Sequence, residues 1–226
     1  MGLALSVGFY ACFLFFVAGY LVRMVTWADQ APQGVSPPGK ALTLSILLNA
    51  LVDILLLRRL LRVNDVLWLG EWTFHASLVI LFLSHLKYIL DPVPACIASM
   101  EIPARVAAWL LPASLFYIGA LKLVIEKKPY ISSYNFMLLG LMMVSCISGL
   151  VMKYSFPADL ADIKHFTMGL VTFHVVTLPG SLMFLFHFFV FLLLLTSLPT
   201  HMFAAPLTMI EARQRDEEIQ YLMHEE

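Results

Sequence analysis

The sequence predicts an all-α fold, a polytopic transmembrane bundle of about six spans, and three observations lead to it. Hydrophobic residues make up 61 % of the 226 and charged residues only 13 %, about half the charged share of a soluble domain. The apolar residues gather in runs long enough for the roughly 20 positions that a membrane helix needs. The runs do not alternate apolar with polar, as barrel strands do. Within lipid only helices and closed barrels satisfy every backbone group, so long non-alternating runs mean helices.

The formal net charge is −1 and there is no basic tail, which leaves nothing to suggest a nucleic-acid partner. Cys12, Cys96 and Cys146 stand alone, with no C-x-x-C or C-x-x-C-H. That pattern excludes a resident iron–sulfur domain and a covalently attached c-type haem. Cys12 and Cys146 lie inside apolar runs and read as packing residues. The first run starts at residue 3 without a positive flank and exceeds a signal-peptide core, so it reads as an uncleaved anchor.

The candidate spans are 3–25, 41–60, 70–90, 104–124, 131–152 and 178–200, in one membrane domain of 1–226 with a short tail from 204 to 226. The second span is the weakest. It holds Asn49 and Asp53 and ends in "RRLLR", so an interfacial amphipathic helix is its alternative. Six spans place both termini on one side. That side gathers Arg58, Arg59, Arg62, Lys122, Lys127, Lys128, Arg213 and Arg215. The opposite side holds Arg23, Lys40, Lys87, Arg105, Lys153 and Lys164. The richer side, with both termini, is assigned to the cytoplasm. The segment 161–177, "ADIKHFTMGLVTFHVVT", precedes Pro179 and Gly180, which break a helix. It is expected to be an outer-side amphipathic or re-entrant piece.

Histidine is the unusual residue in these spans, because a polar group in a bilayer needs a partner. A neutral imidazole can hydrogen-bond a neighbour or ligate a metal. His75 and His85 lie near opposite ends of the third span, about 15 Å apart along the axis. His187 and His201 belong to the last span, which runs antiparallel to the third. His75 therefore shares an inner level with His201, and His85 an outer level with His187. Two cross-helix imidazole pairs at two depths match two bis-histidine b haems. Spacing alone leaves open one haem, or none, with the histidines merely hydrogen-bonded across helices. His165 and His174 read as outer-surface residues near a quinone, and His224 as solvated.

These residues and their flanks resemble the cytochrome b (gamma) subunit of respiratory nitrate reductases. "FH" at 74–75, "CISGL" at 146–150, "LVTFH" at 170–174 and "MFAAPL" after His201 are each similar to motifs there. The resemblance covers about residues 70–210. It implies haem b (two): His85 and His187 on the outer iron, His75 and His201 on the inner one, and no catalytic residues. It implies a quinol site, menaquinone being one candidate, for which Arg105 and His174 are the residues here. The extra span at 41–60 and the shorter gap between the last two histidines depart from that family. They bring the chain nearer to cytochrome b subunits of transmembrane redox complexes of sulfate-reducing bacteria, of which the high-molecular-weight cytochrome c complex is the nearest candidate. That likeness implies other membrane subunits, a periplasmic multihaem cytochrome c, and a cytoplasmic iron–sulfur partner of heterodisulfide-reductase type docking near the charged tail. The expected function is electron transfer across the membrane. The alternative is a haem-free membrane anchor.

Overall fold

The structure is a computed structural model, and it describes residues 2–30, 44–125 and 133–200. His201, His224 and the tail at 204–226 lie outside the described residues. So do the side chains of 27–30 and Thr200. Every regular element among the described residues is helical, and the architecture is an all-α membrane helix bundle. In chain order the elements are α1 (Gly2–Gln30), α2 (Leu44–Leu56), α3 (Arg58–Val63), α4 (Asp65–His85), α5 (Ala95–Ala98), α6 (Glu101–Ile125), α7 (Ser133–Tyr154), α8 (Leu160–Val171) and α9 (Leu182–Ser197). Short 3₁₀ turns follow α4 and α9.

Four stretches are long and apolar enough to cross a membrane: Gly2–Thr26, Asp65–Tyr88, Glu101–Val124 and Ser133–Tyr154. α2 and α9 are apolar but shorter. The 13 described residues of α2 extend about 20 Å, against roughly 30 Å of hydrocarbon. α2 ends because Leu57 takes left-handed angles, φ 47° and ψ 40°, which a side chain bearing Cβ adopts only under constraint. The expected continuous helix from 41 to 60 is thus divided at Leu57. The Leu56 carbonyl at the break accepts a hydrogen bond from the Trp68 indole at 2.7 Å. The Asn64 side chain then caps α4 through the Leu67 amide at 2.9 Å, as helix starts require.

The chain forms two compact units, one of residues 1–14 and 69–196, the other of 15–68 and 197–226. In the second, Gly19 lies against Pro199; a Cβ on Gly19 would meet the Pro199 ring at 3.2 Å. Pro199 sits in the 3₁₀ turn that ends the last helix, where a missing amide interrupts the α ladder.

The first unit carries the five described histidines. Its core is a cluster on two elements: Ile163, Phe166 and Leu170 of α8, with Phe184, Phe188 and Leu192 of α9. Leu5, Phe9 and Cys12 of α1 pack against it. Phe166 is fully buried, edge-on to both Phe184 and Phe188. The expected amphipathic piece is therefore a real helix that buries its apolar face. Asp159 caps it through the Ala161 amide at 2.8 Å. Two bonds tie it to the turn after α4: the Thr167 hydroxyl donates to the Tyr88 carbonyl at 2.6 Å, and Lys164 Nζ reaches Asp91 Oδ1 at 3.0 Å. The Pro179–Gly180 break falls as expected, with no helix between 174 and 181. Small residues make the other helix contacts. Gly70 of α4 faces α6 so closely that a Cβ would lie 2.6 Å from Tyr117 Cδ1. Ser77 and Ser84 of α4, Ser114 of α6 and Ser148 of α7 are buried. Helices in lipid associate through such residues because apolar bulk gives no preference for a neighbouring helix over lipid. Large apolar side chains such as Phe116 and Leu182 point outward instead.

Candidate functional site

The site is built at the C-terminal end of α4 and the N-terminal half of α9. His85 is the last residue of α4 and His187 lies one turn and a half into α9. The His85 imidazole is within Coulombic range of the His187 imidazole. The structure thus places these two histidines near one another.

Each ring is held by one nitrogen. His85 Nδ1 lies 2.6 Å from the Leu81 carbonyl, and His75 Nδ1 lies 2.6 Å from the Glu71 carbonyl. A carbonyl only accepts, so Nδ1 carries the proton in both rings and Nε2 keeps its lone pair. His187 reaches the same state by another route. Its Nδ1 is 2.8 Å from Ser148 Oγ, and that hydroxyl is itself 2.8 Å from the Ser145 carbonyl. The serine proton goes to the carbonyl, so the serine oxygen accepts from His187 Nδ1–H. The tautomers follow from these partners. Gly149, next to Ser148, gives the ring its space: a Cβ there would come within 3.2 Å of His187 Cε1.

Three rings therefore present an unprotonated Nε2 with no hydrogen-bond partner among the described residues, on helices otherwise clad in apolar side chains. An imidazole whose Nδ1–H is fixed by a carbonyl or hydroxyl is oriented for metal ligation through Nε2. Among the described residues there is no group of three or more His, Cys, Asp or Glu able to chelate an ion. Two neighbouring imidazoles on two helices, each with a free Nε2, suit instead an iron that brings its remaining ligands with it, as in haem. Phe184 and Phe188 stack beside the site with ring centroids 5.9 Å apart. The residues present fit a haem at the His85/His187 level. At the other level His75 has the same fixed Nδ1, while its expected partner His201 lies outside the described residues.

The remaining sequence candidates are placed less compactly. His174 follows Phe173, whose φ of 60° ends α8 in a left-handed residue. The His174 amide donates back to the Gly169 carbonyl at 2.8 Å, the closing bond of a Schellman cap. Its Nδ1 is 3.2 Å from Thr172 Oγ1, and that hydroxyl donates to the Met168 carbonyl at 2.9 Å. Arg105 is exposed and paired with Glu101 at 2.7 Å, and no described contact joins it to His174. An open pocket of about 670 Å³ lies at the starts of α8 and α9, between Phe156, Asp162, Ser181 and Leu182; neither Arg105 nor His174 lines it. His165 is exposed on α8. The sequence reading missed Ser148 and Gly149 as parts of the site. "CISGL" held both, but a bond across helices leaves no spacing signal.

Comparison with known proteins points the same way. The chain is 25 % identical, over 73 % of its length, to a protein of Archaeoglobus profundus named Hdr-like menaquinol oxidoreductase cytochrome b-like subunit. It is 31 % identical, over 48 % of its length, to a protein of Archaeoglobus fulgidus bearing the same name. It covers 62 % and 36 % of those two relatives, so it spans about three fifths and one third of their lengths. No protein-family model and no solved structure matches it.

Proposed function

We propose that the chain is a cytochrome b-like membrane subunit of an Hdr-like quinol oxidoreductase, with a haem iron held between His85 and His187. The observation that carries this reading is the pair itself: two neighbouring imidazoles, on α4 and α9, each fixed at Nδ1 and bare at Nε2. The names of the two relatives support the class of complex. A bound haem supplies one-electron transfer. The chain's own residues orient the two ligating nitrogens, set their basicity through the Nδ1 bonds, and exclude water with the phenylalanines of α8 and α9. His75 and His201 would hold a second haem at the other level of the bundle, so that electrons cross between the two faces.

Further parts of the proposal follow from the same reading. His174 offers an unprotonated Nε2 at an exposed chain reversal, which suits it to accept a proton from a quinol such as menaquinol; Arg105 would assist from its own helix. The basic-rich side is the cytoplasmic one, where a heterodisulfide-reductase-like iron–sulfur subunit would exchange electrons with the inner haem. Other membrane subunits, or a periplasmic cytochrome c, would complete the route outside.

The test is a pyridine haemochrome assay with reduced-minus-oxidised spectra on the detergent-purified chain, beside His187→Ala. Two b haems in the wild-type chain and one in the variant are expected. A chain from haem-competent cells that carries no haem would overturn the reading and leave the membrane anchor.

A further inference from the structure

We infer that Ser148 is a positioning residue for the His187 ligand and tunes the reduction potential of the haem that this ligand holds. The inference rests on the haem reading above.

His85 and His187 form one pair, yet they are held differently. The Nδ1–H of His85 goes to a carbonyl of its own helix, one turn back. That bond exists wherever α4 is helical. His187 has no such bond within its own helix. Its Nδ1–H lies against α7, 39 residues earlier in the chain, where the Ser148 hydroxyl is 2.8 Å away and the Ser145 carbonyl is also within reach. Ser148 is 2 % exposed, so no bulk water competes for either partner. Its hydroxyl is committed to the Ser145 carbonyl. The three groups form a directed chain, imidazole N–H to hydroxyl oxygen, hydroxyl proton to carbonyl. A hydroxyl that donates becomes a better acceptor, so the serine oxygen draws on the imidazole proton more strongly than an isolated hydroxyl would. Gly149 lets α7 come close enough for the bond to form.

The chemical consequence is specific. An acceptor on Nδ1–H raises the basicity of Nε2. A more basic axial nitrogen stabilises the ferric ion over the ferrous ion, and potentials of haem follow axial ligation and its hydrogen bonds. Removing the acceptor therefore favours the reduced state. It does so only at the haem that His187 holds. A merely structural serine would change haem content or stability without moving one potential in one direction.

The experiment is a potentiometric titration of the membrane-embedded full chain with mediator dyes, each haem taking up one electron. The reporter is the midpoint that disappears in His187→Ala. In Ser148→Ala we expect the haem complement to be retained and the equilibrium constant for reduction at that midpoint to rise about tenfold, equivalent to about 59 mV for one electron. The other midpoint should stay in place. A haem-loaded Ser148→Ala chain with both midpoints unchanged would overturn the role. If Ser148→Ala loses the haem, Ser148→Cys decides, because sulfur keeps most of the volume and is a weaker acceptor. A raised midpoint in that variant supports the role. A native midpoint, or haem loss there too, overturns it, since the site would then answer to volume alone. A wild-type chain without haem is a separate result: it defeats the proposed function, and the tuning role with it.

Discussion

Two histidines of α4 sit ten residues apart, and the contrast between their surroundings separates what one helix can do from what a bundle must do. His75 and His85 use the same local device, a carbonyl four residues back that fixes Nδ1–H. Each would be oriented in an isolated α4. Only His85 meets a second described imidazole, and that partner depends on two further helices: α9 carries His187, and α7 supplies Ser148 to orient it. The His85 level is a product of packing among three helices. The His75 end, as far as it is described, is a product of α4 alone. A perturbation of α7 or α8 should therefore reach the first level and spare the second.

The largest effect should come from the ligands. His187→Ala is expected to remove the haem at its level and leave that at His75, halving the haemochrome absorbance per chain. His75→Ala should give the complementary spectrum. If the two single variants give the same residual spectrum, the two levels are not independent and the comparison fails.

Next in size is the core beneath His187. Phe166→Ala empties a fully buried aromatic site against Phe184 and Phe188, and such truncations cost about 3–5 kcal/mol. Thermal denaturation in detergent should fall markedly, with haem lost first at the His187 level. The two tight glycines then sharpen the contrast. Gly70→Ala pushes a Cβ to within 2.6 Å of the Tyr117 ring, so overpacking of about 1–3 kcal/mol is expected, visible in melting but not in the spectrum of the His187-level haem. Gly149→Ala meets His187 itself at 3.2 Å. Its melting should barely move, while the low-spin signal of that haem shifts in electron paramagnetic resonance as the ring turns.

The smallest effect belongs to the surface. Glu101→Ala breaks an exposed i,i+4 pair with Arg105, a contact of about 0.2–0.5 kcal/mol. No change in melting or haem content is expected. An altered KM for quinol would bring Arg105 into the quinol site, and an unaltered one would leave it as a membrane-edge anchor.

Much of this was legible in the chain because lipid imposes simple rules. Apolar length gave the four long helices, and Pro179 and Gly180 gave the break before α9. What escaped did so for physical reasons. Leu57 carries no glycine or proline signal, yet it divides the helix from 41 to 60. A leucine holds left-handed angles there because its neighbours over-determine them, and the Trp68 indole secures the end of α2. The 161–177 piece read as amphipathic, which is right for a surface segment and equally right for one packed in the bundle. The moment of a helix says that one face differs, not whether lipid, water or another helix lies against it. Ser148 was hidden for a related reason: a serine in an apolar run bonds its own helix by default, as Ser148 does at Ser145, and only tertiary placement brings His187 against its oxygen.

The order in which the chain is made gives α8 a problem. Its 12 residues form a helix too short to span the bilayer and marginal when isolated. Some of its apolar neighbours belong to α1, already synthesised when α8 emerges. Others belong to α9, which follows it. α8, helped only by its Asp159 cap, lacks part of its core until Phe184 and Phe188 arrive to close over Phe166. The histidine pair at His187 is completed by the same closure. Arrival of α9 is thus also the event that seals the site, and a chain truncated before residue 182 would present α8 as an open, aggregation-prone face to the machinery that assembles membrane proteins.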